Sequence, residues 1–295
     1  AIVTHLVKQN HYFGGKTLLM TATLPTFIRD GVCEGLEIEP YGEQFVRLLD
    51  SPDLADRAKS SRHRIAFRTH DGDYATCIDD MITAARQGKK VLVVANTVKT
   101  AVRIYREIDK KLKDKDKVEL VLLHSKFTEQ HRQEKSQQIY RLMANNRERS
   151  AQPCIIVSTQ IVEASLDLDA DLLFTDAAPA DSLIQRMGRV YRRYARVAGN
   201  YAPIEPNVII MINNALPEKN SSQILAPGVG YIRSAESKAV YDLDLTMLTL
   251  LLLMAIGNND INCFELESVI ELFTQSEWKD CFPATNDKKA KSEDN

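Results

Sequence analysis

The chain has 295 residues, 44% of them hydrophobic and 26% charged, with 38 Lys+Arg against 40 Asp+Glu for a formal net charge of -2 at pH 7. This composition excludes a disordered, collagen-like or disulfide-dense chain, and the length allows one large or two modest domains. Bulk charge points to no nucleic-acid partner, so any such partner has to be read from local clusters. The five cysteines, Cys33, Cys77, Cys154, Cys263 and Cys281, are scattered without a Cys-x-x-Cys pair and read as reduced thiols of a cytoplasmic protein. Ala1–Asn10 lacks a cleavable small-residue site, so no targeting segment is expected. The apolar run Leu245–Ile256 is too short to span a bilayer and reads as a buried helix, with no membrane partner.

Short apolar runs predict strands at Leu18–Ala22, Arg64–Arg68, Lys90–Ala95, Val118–Leu123, Cys154–Ser158, Leu172–Thr175 and Val208–Ile212. Helical spacing follows at Ala75–Arg86, Lys99–Leu112, Glu129–Met143 and Ser182–Tyr194. Alternation of this kind predicts an α/β fold, a parallel sheet with helices on both faces. Ligands of such sheets sit beyond the carboxyl ends of the strands. Leu18–Ala22 is separated from the next strand by a polar stretch too long for an ordinary connection and is assigned to a different sheet. Past Ile212 the alternation stops. A Pro/Gly/Ser/Asn-rich linker leads to helical stretches near Glu236–Ile256 and Phe264–Glu277, and Thr285–Asn295 reads as a charged, disordered tail.

Three segments carry chemistry. In Gln185-Arg186-Met187-Gly188-Arg189-Val190-Tyr191-Arg192-Arg193, helical geometry of about 100° per residue puts Gln185, Arg189 and Arg192 on one face and Leu183, Met187, Val190 and Tyr191 on the other. Two planar cations beside Gly188, a costly residue inside a helix, suit a polyphosphate better than open solvent. The second segment, strand Cys154–Ser158 followed by Thr159, Gln160 and then Leu166-Asp167-Leu168-Asp169-Ala170-Asp171, places hydroxyls and amides at a strand end where a phosphate can be held. Asp167 is placed to accept from a ribose hydroxyl or an attacking water, whereas Asp169 and Asp171 read as caps of the next turn. The third, Leu18–Pro25, runs a strand into Thr21-Ala22-Thr23, with Pro25 opening the next element. Taken singly, each threonine reads equally as a plain cap.

In this order, Thr-Ala-Thr, then Thr-Gln…Leu-Asp, then Gln-Arg-x-Gly-Arg-x-x-Arg resembles motifs III, V and VI of superfamily 2 helicases. The strings Thr21–Pro25 and Gln160–Asp169 are more narrowly similar to those of the signature helicase of type I CRISPR systems, over roughly residues 15 to 215. The resemblance implies a RecA-like sheet and these boundaries: residues 1–25 as the last strand and motif III of a first helicase lobe, 26–215 as the second lobe, 216–284 as linker and small helical accessory region, and 285–295 as tail. It implies that Arg189 and Arg192 contact the γ-phosphate of ATP, that Gln185 lies near the attacking water, and that Asp167 and Gly188 line the nucleotide. Thr159, Thr97 after strand Val91–Ala95, and Ser125 after Glu119–Leu123 would touch the nucleic-acid backbone. Thr21 and Thr23 would couple the two sites. Implied partners are single-stranded DNA, the first helicase lobe, an HD-type nuclease domain or subunit and a CRISPR surveillance complex.

Gly14-Gly15-Lys16-Thr17 imitates a phosphate-binding loop, but Asn10 stands where glycine is required and a strand is expected to follow. No Asp-Glu-x-His or Asp-Glu-Ala-Asp string occurs. Mg2+ and most of the ATP contacts are therefore expected on a first lobe that this chain lacks, and the chain alone is expected to be inactive. No metal site of its own is expected, and His70-Asp71 reads as a loop. Two alternatives stay open: another superfamily 2 nucleic-acid motor, and a non-catalytic lobe that binds nucleic acid or protein.

Overall fold

The computed structural model describes residues 2–17, 26–36, 63–70, 72–113, 117–143, 152–165, 167–192, 203–213, 224–226, 230–232, 240–241 and 243–255. The chain divides into two units, residues 1–47 with 267–295, and residues 48–266. The division falls downstream of the boundary expected at 25/26.

In the first unit, α1 (Ile2–Tyr12) and α2 (Thr26–Leu36) pack together, burying Val7, Val32 and Cys33. Helix α2 begins directly after Pro25, as a proline at a helix start favours. Gly14-Gly15-Lys16-Thr17 is the turn that ends α1. Gly14 adopts φ +75°, and the Asn10 side chain donates to the Lys16 carbonyl (3.1 Å) and to Thr17 Oγ1 (2.8 Å). The asparagine that spoils the phosphate-loop pattern is thus the residue that fastens this turn. The expected strand Leu18–Ala22, with Thr21 and Thr23, lies outside the described residues, as do the stretch Phe264–Glu277 and the tail.

The second unit is built on a six-stranded, all-parallel sheet of order β1-β6-β5-β2-β4-β3. Its strands are β1 (Ile65–His70), β2 (Lys90–Val94), β3 (Glu119–Leu123), β4 (Cys154–Ser158), β5 (Leu172–Asp176) and β6 (Val208–Asn213). Central strands β2 and β4 are buried at every residue, so their apolar runs are continuous rather than alternating. The two-residue period divides those runs between the faces. Val91, Val93, Ile155, Val157 and Phe174 meet α3 (Ala75–Arg86) and α4 (Val98–Lys111), through Ile78, Met81, Ile104 and Ile108. On the other face Leu92, Val94, Ile156, Leu173 and Ile210 meet α5 (Glu129–Met143) and α7 (Ala180–Met187), through Ile139, Met143, Leu183 and Met187. Each such fully buried side chain contributes about 1.5–3 kcal/mol. A one-turn helix α6 (Ile161–Ser165) follows β4, an antiparallel ribbon pairs β7 (Ile224–Ala226) with β8 (Gly230–Ile232), and α8 (Leu243–Ala255) adds Leu250 and Leu253 to the α5/α7 core. Among the described residues no helix is long and apolar enough to cross a membrane.

The motif VI helix is shorter than expected. It ends at Met187, not Tyr194, and Gly188 caps it instead of lying inside it. The segment 168–170 captures the chain beyond that point: Ala170 N donates to the Arg189 carbonyl (2.8 Å), Tyr191 N to the Ala170 carbonyl (3.0 Å), and Arg192 N to Asp169 Oδ1 (2.9 Å). Tyr191 pays for this with φ +51°. These bonds replace the next helical turn, and the fully buried Asp169 carboxylate caps this stretch after α7 and not, as expected, the turn into the next strand.

At the other end of the sheet, α3 stops at a Schellman turn. Gly88 at φ +87° lets Lys89 N reach the Ala84 carbonyl (3.1 Å) and Gly88 N reach that of Ala85 (2.9 Å), aiming the chain into β2. A β-carbon there would meet nothing within 4 Å, so only backbone strain resists substitution. Gly88→Ala is therefore expected to lower unfolding stability by about 1–2 kcal/mol with an unchanged denaturant slope, read by urea titration.

Candidate active site

Every residue that matters here follows the carboxyl end of a strand. After β2, Asn96 is buried and ties four places together. Its backbone N–H donates to Asp176 Oδ2 (2.8 Å) and its side-chain amide to the Ala177 carbonyl (2.7 Å). Its own carbonyl accepts from Gln160 Nε2 (2.9 Å) and its Oδ1 from Arg186 Nη2 (3.1 Å). The exposed Thr97 caps α4, its Oγ1 accepting from Thr100 N (3.1 Å) and donating to Thr100 Oγ1 (2.9 Å). After β3, His124 is buried and stacks on Phe127 with ring centres 4.2 Å apart, while Ser125 between them is exposed. Burial holds the His124 imidazole below its ordinary pKa, which favours the neutral ring. After β4, Thr159 is only 3% exposed, because the chain turns straight into α6. That corrects the expectation of a hydroxyl presented to a phosphate, since its side chain lies beneath the surface.

The hub of the site is Arg186, a residue the sequence reading passed over. Its side chain is completely buried, and all five of its N–H donors are used. Nε donates to Glu163 Oε1 (2.8 Å), Nη1 to Thr175 Oγ1 (2.7 Å) and the Asp176 carbonyl (3.1 Å), and Nη2 to Asn96 Oδ1 (3.1 Å) and Tyr241 Oη (2.8 Å). Strands β2 and β5, helices α6 and α7 and the approach to α8 thus converge on one guanidinium. A sequence signal for it exists: Arg186 falls on the stripe of Ser182, Leu183 and Met187, the buried face of α7. Asp176 completes the cluster. Burial raises its carboxyl pKa, opposed by the Asn96 N–H, Arg186 and the Tyr74 hydroxyl, which donates to it over 3.2 Å.

Beyond the helix end, Arg189 and Arg192 face the same group of residues. Arg189 is half-buried; its Nη2 donates to the Glu163 carbonyl, and its Nε is buried with no partner among the described residues. Burial and the neighbouring Arg192 both push its pKa down, against Asp167 and Glu163. Arg192 Nη1 pairs with Asp167 Oδ1 at 2.8 Å, the two side chains being 37% and 58% exposed. So exposed a pair is worth at most about 1 kcal/mol, and an incoming anion can compete for the arginine. The structure therefore brings Arg189, Arg192 and Asp167 together. It does so on a turn after α7 and not on the single helix face, shared with Gln185, that was expected. Gln185 is partly buried in the last turn of α7, and Gly188 follows it, where a β-carbon would crowd the Ile184 carbonyl at 3.3 Å. An unpartnered buried N–H and two neighbouring cations form a donor set that fits the phosphates of a nucleotide. Among the described residues no group of three or more His, Cys, Asp or Glu could hold a metal ion.

The chain is similar to several known proteins. Residues 87–195 match the family model described as CRISPR-associated nuclease/helicase Cas3, C-terminal. The Escherichia coli K12 CRISPR-associated endonuclease/helicase Cas3 is 32% identical over 211 residues, covering 65% of this chain and 23% of that protein. The Methanothermobacter thermautotrophicus Cas3 is 29% identical over 218 residues, 72% of this chain and 24% of that protein. The chain thus spans about a quarter of the length of the curated relatives it matches. In fold it resembles T. fusca Cas3 crystallised with AMPPNP, with a TM-score of 0.68 at 22% identity over 93% of this chain and 34% of the other. These matches make residues 87–195 similar to the C-terminal region of the CRISPR-associated Cas3 helicases, and the six-stranded parallel sheet has the fold of their RecA-like lobe.

Proposed function

We propose that this lobe is the arginine-bearing half of an ATP-driven translocase that moves along single-stranded DNA during CRISPR interference. The observation that carries the reading is Arg189. A half-buried guanidinium whose Nε has no partner among the described residues, beside a second arginine whose guanidinium is held among them only by an exposed carboxylate, is poised for an anion with high negative charge. ATP, when bound, supplies the scissile phosphoanhydride. Arg189 and Arg192 would neutralise charge developing on its γ-phosphate, Gln185 would orient water, and Asp167, released from Arg192, would accept from the ribose. The phosphate loop and the carboxylates for Mg2+ would come from a first lobe, since these residues contain neither motif. T. fusca Cas3 solved with AMPPNP, ADP and ATP supports the nucleotide assignment.

Thr97 and Ser125, both exposed at the carboxyl edge, are the groups proposed to meet the DNA backbone. The names of the relatives, nuclease/helicase, support a nuclease as working partner. The structural likeness to a chain of a CRISPR RNA-guided surveillance complex, pre-nicking, with a TM-score of 0.66, supports recruitment by such a complex. Such work would take place in the cytoplasm.

The central test pairs this chain with a first helicase lobe carrying a phosphate loop, joined upstream or added separately. Phosphate release stimulated by single-stranded DNA is expected from the pair and not from the 295-residue chain alone; hydrolysis by the chain alone would mean that Gly14–Thr17 is a working loop. In the pair, Arg192→Ala is expected to reduce ATP turnover by about 10³-fold with DNA affinity nearly unchanged, and turnover within a few-fold of the parent would remove Arg192 from the site. Hydroxyls aimed at phosphates read no bases. DNA affinity is accordingly expected to fall steeply with salt and to be indifferent to sequence, measured by fluorescence anisotropy on unrelated oligonucleotides.

A further inference from the structure

Tyr241 stands fifty-five residues beyond Arg186, at the entry to α8, yet its hydroxyl reaches the centre of the site. It accepts from Arg186 Nη2 at 2.8 Å and donates to Glu163 Oε1 at 3.3 Å, and its ring lies 5.7 Å from the Arg186 guanidinium carbon. Those two partners are also the acceptors of both hydrogen bonds that Arg189 donates among the described residues. The Arg189 N–H donates to the Arg186 carbonyl (3.0 Å), and its guanidinium donates to the Glu163 carbonyl. One hydroxyl from outside the helicase motifs therefore braces both acceptors of the arginine that faces the phosphates. Helix α8, which follows Tyr241, is seated in the same core as α7 through Leu250 and Leu253, so the tyrosine reports where the accessory helix sits.

We propose that Tyr241 is a positioning residue for Arg189, and that through it the accessory region downstream of the lobe sets the rate of ATP hydrolysis. This rests on the reading of Arg189 as the phosphate-facing arginine. Withdrawal of the hydroxyl leaves one donor of a buried guanidinium unsatisfied and loosens Glu163, so the backbone at Arg186 and at Glu163 is freed together. The effect falls on the pose of Arg189 in the transition state more than on nucleotide affinity. A change in how the accessory region is held, by a partner or by DNA, would reach the chemistry by this route.

Tyr241→Phe, which keeps the ring and removes only the hydroxyl, tests it in two ways. In the two-lobe protein, kcat for DNA-stimulated hydrolysis is expected to fall about ten-fold with KM for ATP within about two-fold of the parent. In an Arg189→Ala background the same substitution is expected to cost nothing more, because the path it acts through is gone. An equal further loss in that background, or an unchanged kcat in the parent, overturns the proposal. On this chain alone, without nucleotide, hydrogen exchange at the amides of Gly188 to Arg192 is expected to quicken several-fold while β2 and β4 stay protected. Unchanged exchange overturns the brace whether or not the two-lobe protein hydrolyses ATP, and absence of hydrolysis by the parent counts against the function while leaving the exchange result standing.

Discussion

A guanidinium sealed inside a protein must find a partner for each of its five N–H groups, and the burial of Arg186 imposes that demand on the carboxyl edge of this sheet. Meeting it requires Asn96 after β2, Thr175 and the Asp176 carbonyl at the end of β5, Glu163 on α6 and Tyr241 before α8 to arrive at one point. Desolvating a lone cation costs many kcal/mol, so misplacing any of these segments is resisted far more strongly than the loss of one surface contact. The parallel sheet supplies the strand ends, and Arg186 fixes their relative positions. Motifs IV, V and VI, far apart in sequence, become one object because of it.

The same device separates holding from working. Arg186, with every donor committed, has nothing left for a ligand. Among the described residues Arg189, three residues on, has one guanidinium bond to Glu163 and an open Nε, while the Arg192 guanidinium has only the exposed Asp167. Were α7 to continue as a helix, Arg189 and Arg192 would ride on a rigid rod whose direction is set by core packing. Ending it at Gly188 transfers them to a turn held by Asp169 and Ala170, a segment belonging to motif V. The position of these two arginines is therefore set jointly by two motifs.

Local pattern was enough for most of the scaffold. Ala75–Arg86 and Glu129–Met143 are legible to the residue because each carries its own periodicity and end signals, and β2 and β4 because a run apolar on both faces has few other uses. What failed was what non-local bonds decide. The helical spacing runs on through Tyr191, and nothing local reveals that Asp169 and Ala170 will capture that stretch. Thr159 stands at a strand end, where an exposed hydroxyl is the natural reading, and is buried because α6 starts two residues later. Arg186 went unnoticed since an arginine in a basic string is assigned to solvent, although its place on the apolar stripe of α7 argued otherwise. Tyr241 could not have been found at all, for no spacing rule links a tyrosine to an arginine fifty-five residues earlier.

The electrostatics of the site follow from these placements. Arg192 lies close enough to disfavour the charge on Arg189, and Asp167, a carboxylate more than half exposed, opposes this together with Glu163. A stronger, buried partner would have silenced the pair as Glu163 helps to silence Arg186. Leaving the compensation weak keeps the two cations together at a modest cost in stability and makes a polyanion the best available partner. Since Glu163 and the Arg186 carbonyl, which both hold Arg189, belong to the Arg186 cluster, the free energy gained when that anion arrives can be felt at Asn96 beside Thr97 on one side and at Tyr241 before α8 on the other.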